Sequence, residues 1–179
     1  MHDALDVELP ARTRLPADLY ESLVERYSYV RADGSRILPW DFTRYMNHSC
    51  DATSFLLGAN LEIAVRDVRE GEQLTSDYAS LNLERGFDCL CGSPSCRRRV
   101  EPSDYEALAP AWDRLIVDSL QTASDVAQPL ADWFPRDGRL ESWMREPLLA
   151  PSILDNRHQV GAETRFRTRR AKVLASARR

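Results

Sequence analysis

Lysine, glycine and cysteine are all scarce in this chain of 179 residues. Lys172 is the single lysine among 24 basic residues, and the chain has seven glycines and four cysteines. It also lacks any run of about 18 apolar residues, the length that a membrane-spanning helix needs. Residues 1–6 mix polar and apolar side chains and show no charged-then-apolar leader. These absences argue against membrane insertion and secretion, so we expect a cytoplasmic protein with no membrane partner.

The composition is that of one globular domain with an appendage. Hydrophobic residues make up 43% of the chain, and its length leaves no room for a second large domain. The last 15 residues carry seven basic side chains and no acid, which leaves residues 1–164 with 17 basic and 28 acidic side chains, a net charge of −11. An acidic body attracts a basic protein partner and argues against binding to nucleic acid. The basic tail and the arginines at residues 97–99 are the features that favour nucleic acid.

The four cysteines fall into two groups along the chain. Cys50 ends the segment Asn-His-Ser-Cys, whereas Cys89, Cys91 and Cys96 form a Cys-x-Cys-x4-Cys cluster. Glycine and proline between the last two cysteines allow the chain to fold back, so that three sulfurs converge. Clustered thiols in a reducing compartment are more often metal ligands than disulfides, and four thiolates fill a closed zinc site. The pattern favours zinc, with four free buried thiols as the alternative.

Apolar spacing predicts mixed elements in the first half of the chain. Asp33-Gly34 between two apolar pairs is typical of a tight hairpin turn. Residues 1–15 show no clear strand pattern. The predicted elements are a helix over residues 17–27, a β-hairpin within residues 27–40, a half-buried strand at residues 61–65 and a short strand near residues 73–75.

Beyond Arg99 the pattern becomes helical. One predicted helix has an apolar stripe made of Pro110, Trp112, Leu115, Ile116 and Leu120. A second, aromatic-rich helical region contains Trp133, Phe134, Leu140, Trp143 and Met144. Core packing is the simplest role for these tryptophans. The basic run at residues 97–99 is predicted to be a solvated face.

Three motifs follow one another in a fixed order. They are RYMNHSC at residues 44–50, GEQLTSDY at residues 71–78, and the cysteine cluster. Together they resemble a SET-domain protein-lysine methyltransferase with a post-SET zinc loop, over roughly residues 36–99. The resemblance implies an α+β chain whose SET fold is mainly β, with small sheets and a threaded pseudoknot. Its predicted parts are a SET domain at residues 1–85, a post-SET zinc loop at residues 86–100, and a helical C-terminal extension with a basic tail at residues 101–179.

The resemblance also implies a reaction and a set of site residues. The reaction is methyl transfer from S-adenosylmethionine to the side-chain amine of a lysine in a protein substrate. Tyr78 takes the catalytic position, and the implied cofactor-binding residues are Arg44, Asn47 and His48. Cys50 becomes the fourth zinc ligand, beside Cys89, Cys91 and Cys96, so that zinc ligation by His48 is the least expected role for that residue. Without the flanking motifs, Tyr78 would be read as a buried strand tyrosine.

One family feature is missing from this sequence. SET enzymes carry a Gly-x-Gly cofactor segment near their N-terminus, and no two of the seven glycines here are separated by a single residue. We therefore expect that the chain begins inside the usual domain, through a misassigned start codon or a truncation. The alternative function is a catalytically inactive SET-like module that binds a basic protein or peptide.

Overall fold

The computed structural model describes residues 5–11, 13–58, 61–129 and 137–158. Within these residues the strands form three small sheets. The first sheet contains, in spatial order, β1 (Val7–Leu9), β3 (Arg36–Leu38) and β2 (Tyr29–Val30), all antiparallel. The second contains β4 (Asn47–His48), β7 (Thr75–Ser76), β5 (Ser54–Leu57) and β6 (Leu61–Ala64). The third pairs β8 (Phe87–Asp88) with β9 (Arg99–Val100). Small mixed sheets followed by helices confirm the α+β class.

Most of the predicted elements of the first half are present. Residues 17–27 are helical: α1 (Ala17–Leu19), a π-helical turn (Tyr20–Val24) and α2 (Glu25–Tyr27). β2 and β3 form the predicted hairpin, and Gly34 at its turn has φ of 82°. β6 matches the predicted half-buried strand, and β7 lies slightly beyond residues 73–75. The expectation that residues 1–15 contain no strand was wrong, because β1 pairs with β3. β1 is only three residues long and mostly exposed, too short to show alternation.

A long helix supplies much of the core. Helix α3 (Asp104–Thr122) buries Tyr105, Ala109, Trp112, Ile116 and Leu120, which recur every three or four residues and so share one face. The Trp112 ring lies 5.5 Å from that of Phe55, a residue of β5. Leu115 was predicted on this face but is 41% exposed. The helical residues beyond Arg99 therefore share a core with the second sheet.

The shorter helix α4 (Arg139–Arg145) completes the described part of the extension. Its Leu140, Trp143 and Met144 are partly buried against the core, which confirms the packing role predicted for them. Trp133, Phe134 and the basic tail lie outside the described residues. No helix in the described segments is both long and apolar enough to cross a membrane.

The segment that follows α4 is anchored to the body by hydrogen bonds. The Asp113 carboxylate accepts hydrogen bonds from Ser152 Oγ at 2.6 Å and from the Ile153 amide at 2.8 Å. Asn82 is 5% exposed, and its side chain donates to the carbonyls of Val30 and Asn156, each at 2.8 Å, and accepts from the His158 amide at 2.7 Å. Because every polar atom of Asn82 is satisfied, this buried side chain stabilises the fold. It ties the C-terminal segment to the hairpin.

A substitution at Gly34 tests how tightly the C-terminal segment packs against the hairpin turn. A Cβ atom at Gly34 would lie 2.8 Å from His158 Cε1, whereas nothing lies within 4 Å of the corresponding atom at Gly71, which has nearly the same φ (82° and 81°). Gly71→Ala pays only for the left-handed backbone, about 1–2 kcal/mol. We expect Gly34→Ala to destabilise the protein by a further 1–3 kcal/mol or so, through overpacking against His158. Urea unfolding of both variants measures the difference, and equal losses would show that His158 does not dock tightly on the turn.

Candidate functional site

Parallel pairing of β4 with β7 brings the two sequence motifs together. The register places Asn47 opposite Thr75 and His48 opposite Ser76. Asp77 separates β7 from Tyr78, which begins a 3₁₀ helix (Tyr78–Leu81). Asp77 caps that helix by accepting a hydrogen bond from the Ala79 amide at 3.1 Å. Residues thirty positions apart in the sequence therefore meet at one end of the second sheet.

The main-chain amide and the side-chain hydroxyl of Tyr78 both bind residues of the RYMNHSC segment. Its amide donates a hydrogen bond to His48 Nδ1 at 3.1 Å, and its hydroxyl donates to the Met46 carbonyl at 2.7 Å. Burial raises the pKa of Tyr78 above its ordinary value, so the phenol stays protonated at neutral pH. Because its proton is committed to Met46, the oxygen remains free to accept a hydrogen bond from another group.

Tyr78 lines a cavity of about 230 Å³. Other lining residues are Tyr27, Tyr29, Arg44, Met46 and Ser76. The volume is below the 300–1,000 Å³ or so typical of a site for a whole drug-sized ligand, and suits a side chain or part of a cofactor. Arg44 Nε is buried and has no hydrogen-bond partner among the described residues. The positive charge of Arg44 in the cavity wall suits an anionic group such as a carboxylate.

The four cysteine side chains converge next to this cavity. Cys89 Sγ lies 3.8 Å from Cys50 Sγ and 3.7 Å from Cys96 Sγ. Cys91 Sγ accepts a hydrogen bond from the Cys50 amide at 3.5 Å. Four sulfurs about 2.3 Å from one central ion are about 3.8 Å apart, so these distances fit a tetrahedral metal shell. All four cysteines are free, and the cluster is able to hold a metal ion.

His48 also lies at the edge of this cluster. Its Nε2 is 3.4 Å from Cys50 Sγ, and the ligand atoms of His48, Cys50, Cys89 and Cys91 all lie within 4.8 Å of one another. Burial lowers the pKa of His48 although Asp77 raises it, which favours the neutral imidazole. Since Nδ1 accepts the Tyr78 amide, the ring proton is on Nε2 and points to Cys50 Sγ. His48 therefore either donates to a ligand sulfur or competes with Cys96 as a ligand.

The cysteines are not equivalent before metal binding. Burial raises the pKa of Cys50 to about 12. Burial also raises that of Cys91, but the amides of Cys50 and Ser93 and the neighbouring sulfurs outweigh it, and the pKa falls to about 6. The low pKa of Cys91 favours its thiolate at neutral pH, which suits a metal ligand.

The structure separates the other predicted site residues. Arg44 lines the same cavity as Tyr78, and its role in cofactor binding stays a prediction. Asn47 is exposed, is not part of that wall, and donates from its side chain to Gln73 at 2.9 Å. The His48 side chain contacts Cys50 and Tyr78. Any contact of His48 with a cofactor would therefore use its main chain.

Sequence reasoning missed the role of Arg97. Its side chain was assigned to a solvated face, but it is 21% exposed and donates to both oxygens of Asp77, at 2.7 and 2.8 Å. Asp77 itself is 1% exposed. Arg99, by contrast, is about half exposed and pairs with the surface acids Asp88 and Glu101. The available signal was the position of Arg97 directly after Cys96, a predicted ligand, since the neighbour of a ligand lies close to the site.

Comparisons with known proteins agree with the motifs. The histone-lysine N-methyltransferase ATX2 of Arabidopsis thaliana is 31% identical over 102 residues, covering 49% of this chain and 9% of ATX2. ASHH3 of the same plant, also a histone-lysine N-methyltransferase, is 36% identical over 96 residues, covering 48% of this chain and 26% of ASHH3. A variant-silencing SET domain-containing protein of Plasmodium falciparum is 25% identical over 108 residues, covering 56% of this chain and 4% of that protein.

These relatives are much longer proteins, of which the chain spans between 4% and 26%. No family model matches the chain, and no solved structure matches it.

Proposed function

We propose that this chain, about half of which is 31% and 36% identical to two histone-lysine N-methyltransferases, methylates the side-chain amine of a lysine in a protein substrate. The observation that carries this proposal is the position of Tyr78, which follows the Asp of the Asp-Tyr motif and lines a small cavity beside the Asn-His segment. Histones, which the relatives' names specify, are the first lysine-rich substrates to test.

The cofactor of this reaction is S-adenosylmethionine, which supplies the methyl group when bound. Arg44 lines the cavity, and its positive charge suits the carboxylate at the methionine end of this molecule. Asn47 and His48 form β4, the edge strand of the second sheet, so the unpaired side of its main chain offers fixed donors and acceptors for the adenosyl end. We propose Arg44, Asn47 and His48 as the cofactor-binding residues on this basis, although the sequence lacks Gly-x-Gly.

The chain's own residues prepare the amine. A lysine that enters the cavity leaves water and meets tyrosine rings, so its pKa falls and the neutral, nucleophilic form becomes accessible. The Tyr78 oxygen, whose proton is committed to Met46, accepts a hydrogen bond from the amine and orients its lone pair. Tyr78 does not act as a base, because burial raises its pKa further. The proton of the ammonium is lost to water before the amine is sealed in the cavity.

We propose that zinc binds Cys50, Cys89, Cys91 and Cys96. The sulfur spacings of 3.7 and 3.8 Å support this set, and His48 Nε2 at 3.4 Å from Cys50 Sγ acts as a hydrogen-bond donor to a ligand sulfur. The zinc loop then corresponds to residues 86–100, between the SET domain at residues 1–85 and the helical extension at residues 101–179. Free thiol ligands of this kind require a reducing compartment, consistent with a cytoplasmic location.

An inactive module that binds a basic protein is the weaker hypothesis. Such a module needs an acidic surface, but it does not need the two hydrogen bonds that fix Tyr78 to His48 and Met46.

The proposal is tested by incubating the zinc-loaded chain with S-adenosylmethionine and purified histones. We expect lysine side chains to gain methyl groups, detected by mass spectrometry of the digested histones. Methylation that persists after the chain is omitted, or that falls on residues other than lysine, would contradict the proposal.

A further inference from the structure

Two residues, His48 and Arg97, connect Cys50 Sγ to the chain at Tyr78. His48 spans the gap with its ring, since Nε2 approaches the sulfur at 3.4 Å and Nδ1 accepts the Tyr78 amide at 3.1 Å. Arg97 spans it with main chain and side chain, since its amide donates to the sulfur at 3.4 Å and its guanidinium donates to Asp77. The residue that precedes Tyr78 is therefore tied to a predicted metal ligand.

The contact between Arg97 and Asp77 is well suited to fix a position. The two terminal guanidinium nitrogens, Nη1 and Nη2, donate to one carboxylate at 2.7 and 2.8 Å, in the planar fork geometry that only arginine provides. The same carboxylate accepts the Ala79 amide at 3.1 Å, so it also sets the first turn of the 3₁₀ helix that begins at Tyr78. Arg97 Nε lies 3.2 Å from Asp104 Oδ2, close enough for attraction although it is not aligned for a hydrogen bond.

We propose that Arg97 is a positioning residue, which transmits the geometry of the cysteine cluster to Tyr78. The Arg97 peptide is bonded covalently to Cys96, and its amide donates a hydrogen bond to Cys50 Sγ. A bound metal would fix the positions of the sulfurs and so the position of the Arg97 peptide. The Arg97 guanidinium would then fix the position of Asp77 and, through it, that of Tyr78. The catalytic consequence rests on the proposed function, whereas the coupling concerns only the contacts described above.

The test compares Arg97→Lys with Arg99→Lys, the same chemical change two residues away on the surface. Lysine keeps the positive charge opposite Asp77, but it cannot donate two parallel hydrogen bonds to the carboxylate. Both variants and the wild type carry ¹³C-labelled tyrosine, and the Tyr78 ring signal is assigned from its loss in Tyr78→Phe. For each protein, the zinc content, the Tyr78 signal with and without a chelator, and kcat and KM for methyl transfer are measured.

We expect Arg97→Lys to retain zinc while its Tyr78 signal moves from the wild-type position toward that of the zinc-free protein. Its kcat should fall about 10–100-fold, as for other groups that orient a metal site, with KM for the protein substrate nearly unchanged. Arg99→Lys should match the wild type in every respect. A zinc-loaded Arg97→Lys variant with the wild-type Tyr78 signal would overturn the inference, and so would an equal shift in Arg99→Lys.

A second variant tests the same contact in case Arg97→Lys folds poorly. Asp77→Asn keeps the shape of the carboxylate and weakens the fork from the other side, and we expect it to move the Tyr78 signal similarly. If the signal moves as expected but the wild type methylates nothing, the coupling stands and the proposed function fails. If methyl transfer is found and the signal does not move, the function stands and this inference fails.

Discussion

Replacing Tyr78 with phenylalanine is expected to lower kcat for methyl transfer by about 100-fold or more, the cost of removing one polar group that acts on the reacting atoms. The ring remains, so the cavity keeps its wall. What is lost is the oxygen that accepts a hydrogen bond from the amine while its own proton goes to the Met46 carbonyl at 2.7 Å. Stopped assays with labelled S-adenosylmethionine measure this loss.

Tyr20→Phe is the matched control for this variant. It deletes a hydroxyl of the same kind on a tyrosine outside the cavity wall, and we expect wild-type kcat. Tyr78→Phe leaves the Met46 carbonyl without its donor, which costs stability on the order of 1 kcal/mol, so thermal unfolding of both variants accompanies the assay. Full activity in folded Tyr78→Phe would remove Tyr78 from the catalytic role.

Removing zinc is expected to lower the melting temperature by about 8–16 °C. With free zinc at about 1,000 times its Kd, binding stabilises the folded chain by about 4.1 kcal/mol, and each kcal/mol corresponds to about 2–4 °C for a chain of this size. Cys89→Ser should show the same loss without a chelator, because Cys89 is 2% exposed and its sulfur lies between those of Cys50 and Cys96. Differential scanning calorimetry with and without added zinc measures both.

Two controls make this result specific. Ser95→Ala changes an exposed residue of the same loop and should keep zinc and the full melting temperature. X-ray absorption at the zinc edge should show four sulfurs at about 2.3 Å, whereas three sulfurs and one nitrogen at about 2.0–2.1 Å would mean that His48 replaces Cys96. A folded chain that contains no zinc and melts at the same temperature with a chelator would contradict the metal site altogether.

The parts of the site that the sequence predicts well are those encoded in contiguous motifs. Tyr78, Arg44 and the four cysteines are recognisable because their neighbours occur in a fixed order, and the structure brings them together around one end of the second sheet. The hairpin was predictable for a local reason, since Asp33-Gly34 favours the positive φ that its turn requires.

The parts that the sequence does not reveal depend on contacts across space. Arg97 reads as one of three consecutive arginines, and only the position of Asp77, twenty residues away, distinguishes it from Arg99. The position of β1 depends on its pairing with β3 rather than on its own three residues. His48 reads as a cofactor residue, while its ring contacts depend on how β4 is registered against β7.

Calorimetric titration of S-adenosylhomocysteine, the demethylated product, into the zinc-loaded chain tests the methyltransferase assignment most directly, because it needs no knowledge of the protein substrate. We predict one site with a Kd in the micromolar range, which corresponds to about −8 kcal/mol, and weaker binding by Arg44→Gln. No binding by a folded, zinc-loaded chain would contradict the assignment and favour a module that binds a basic protein.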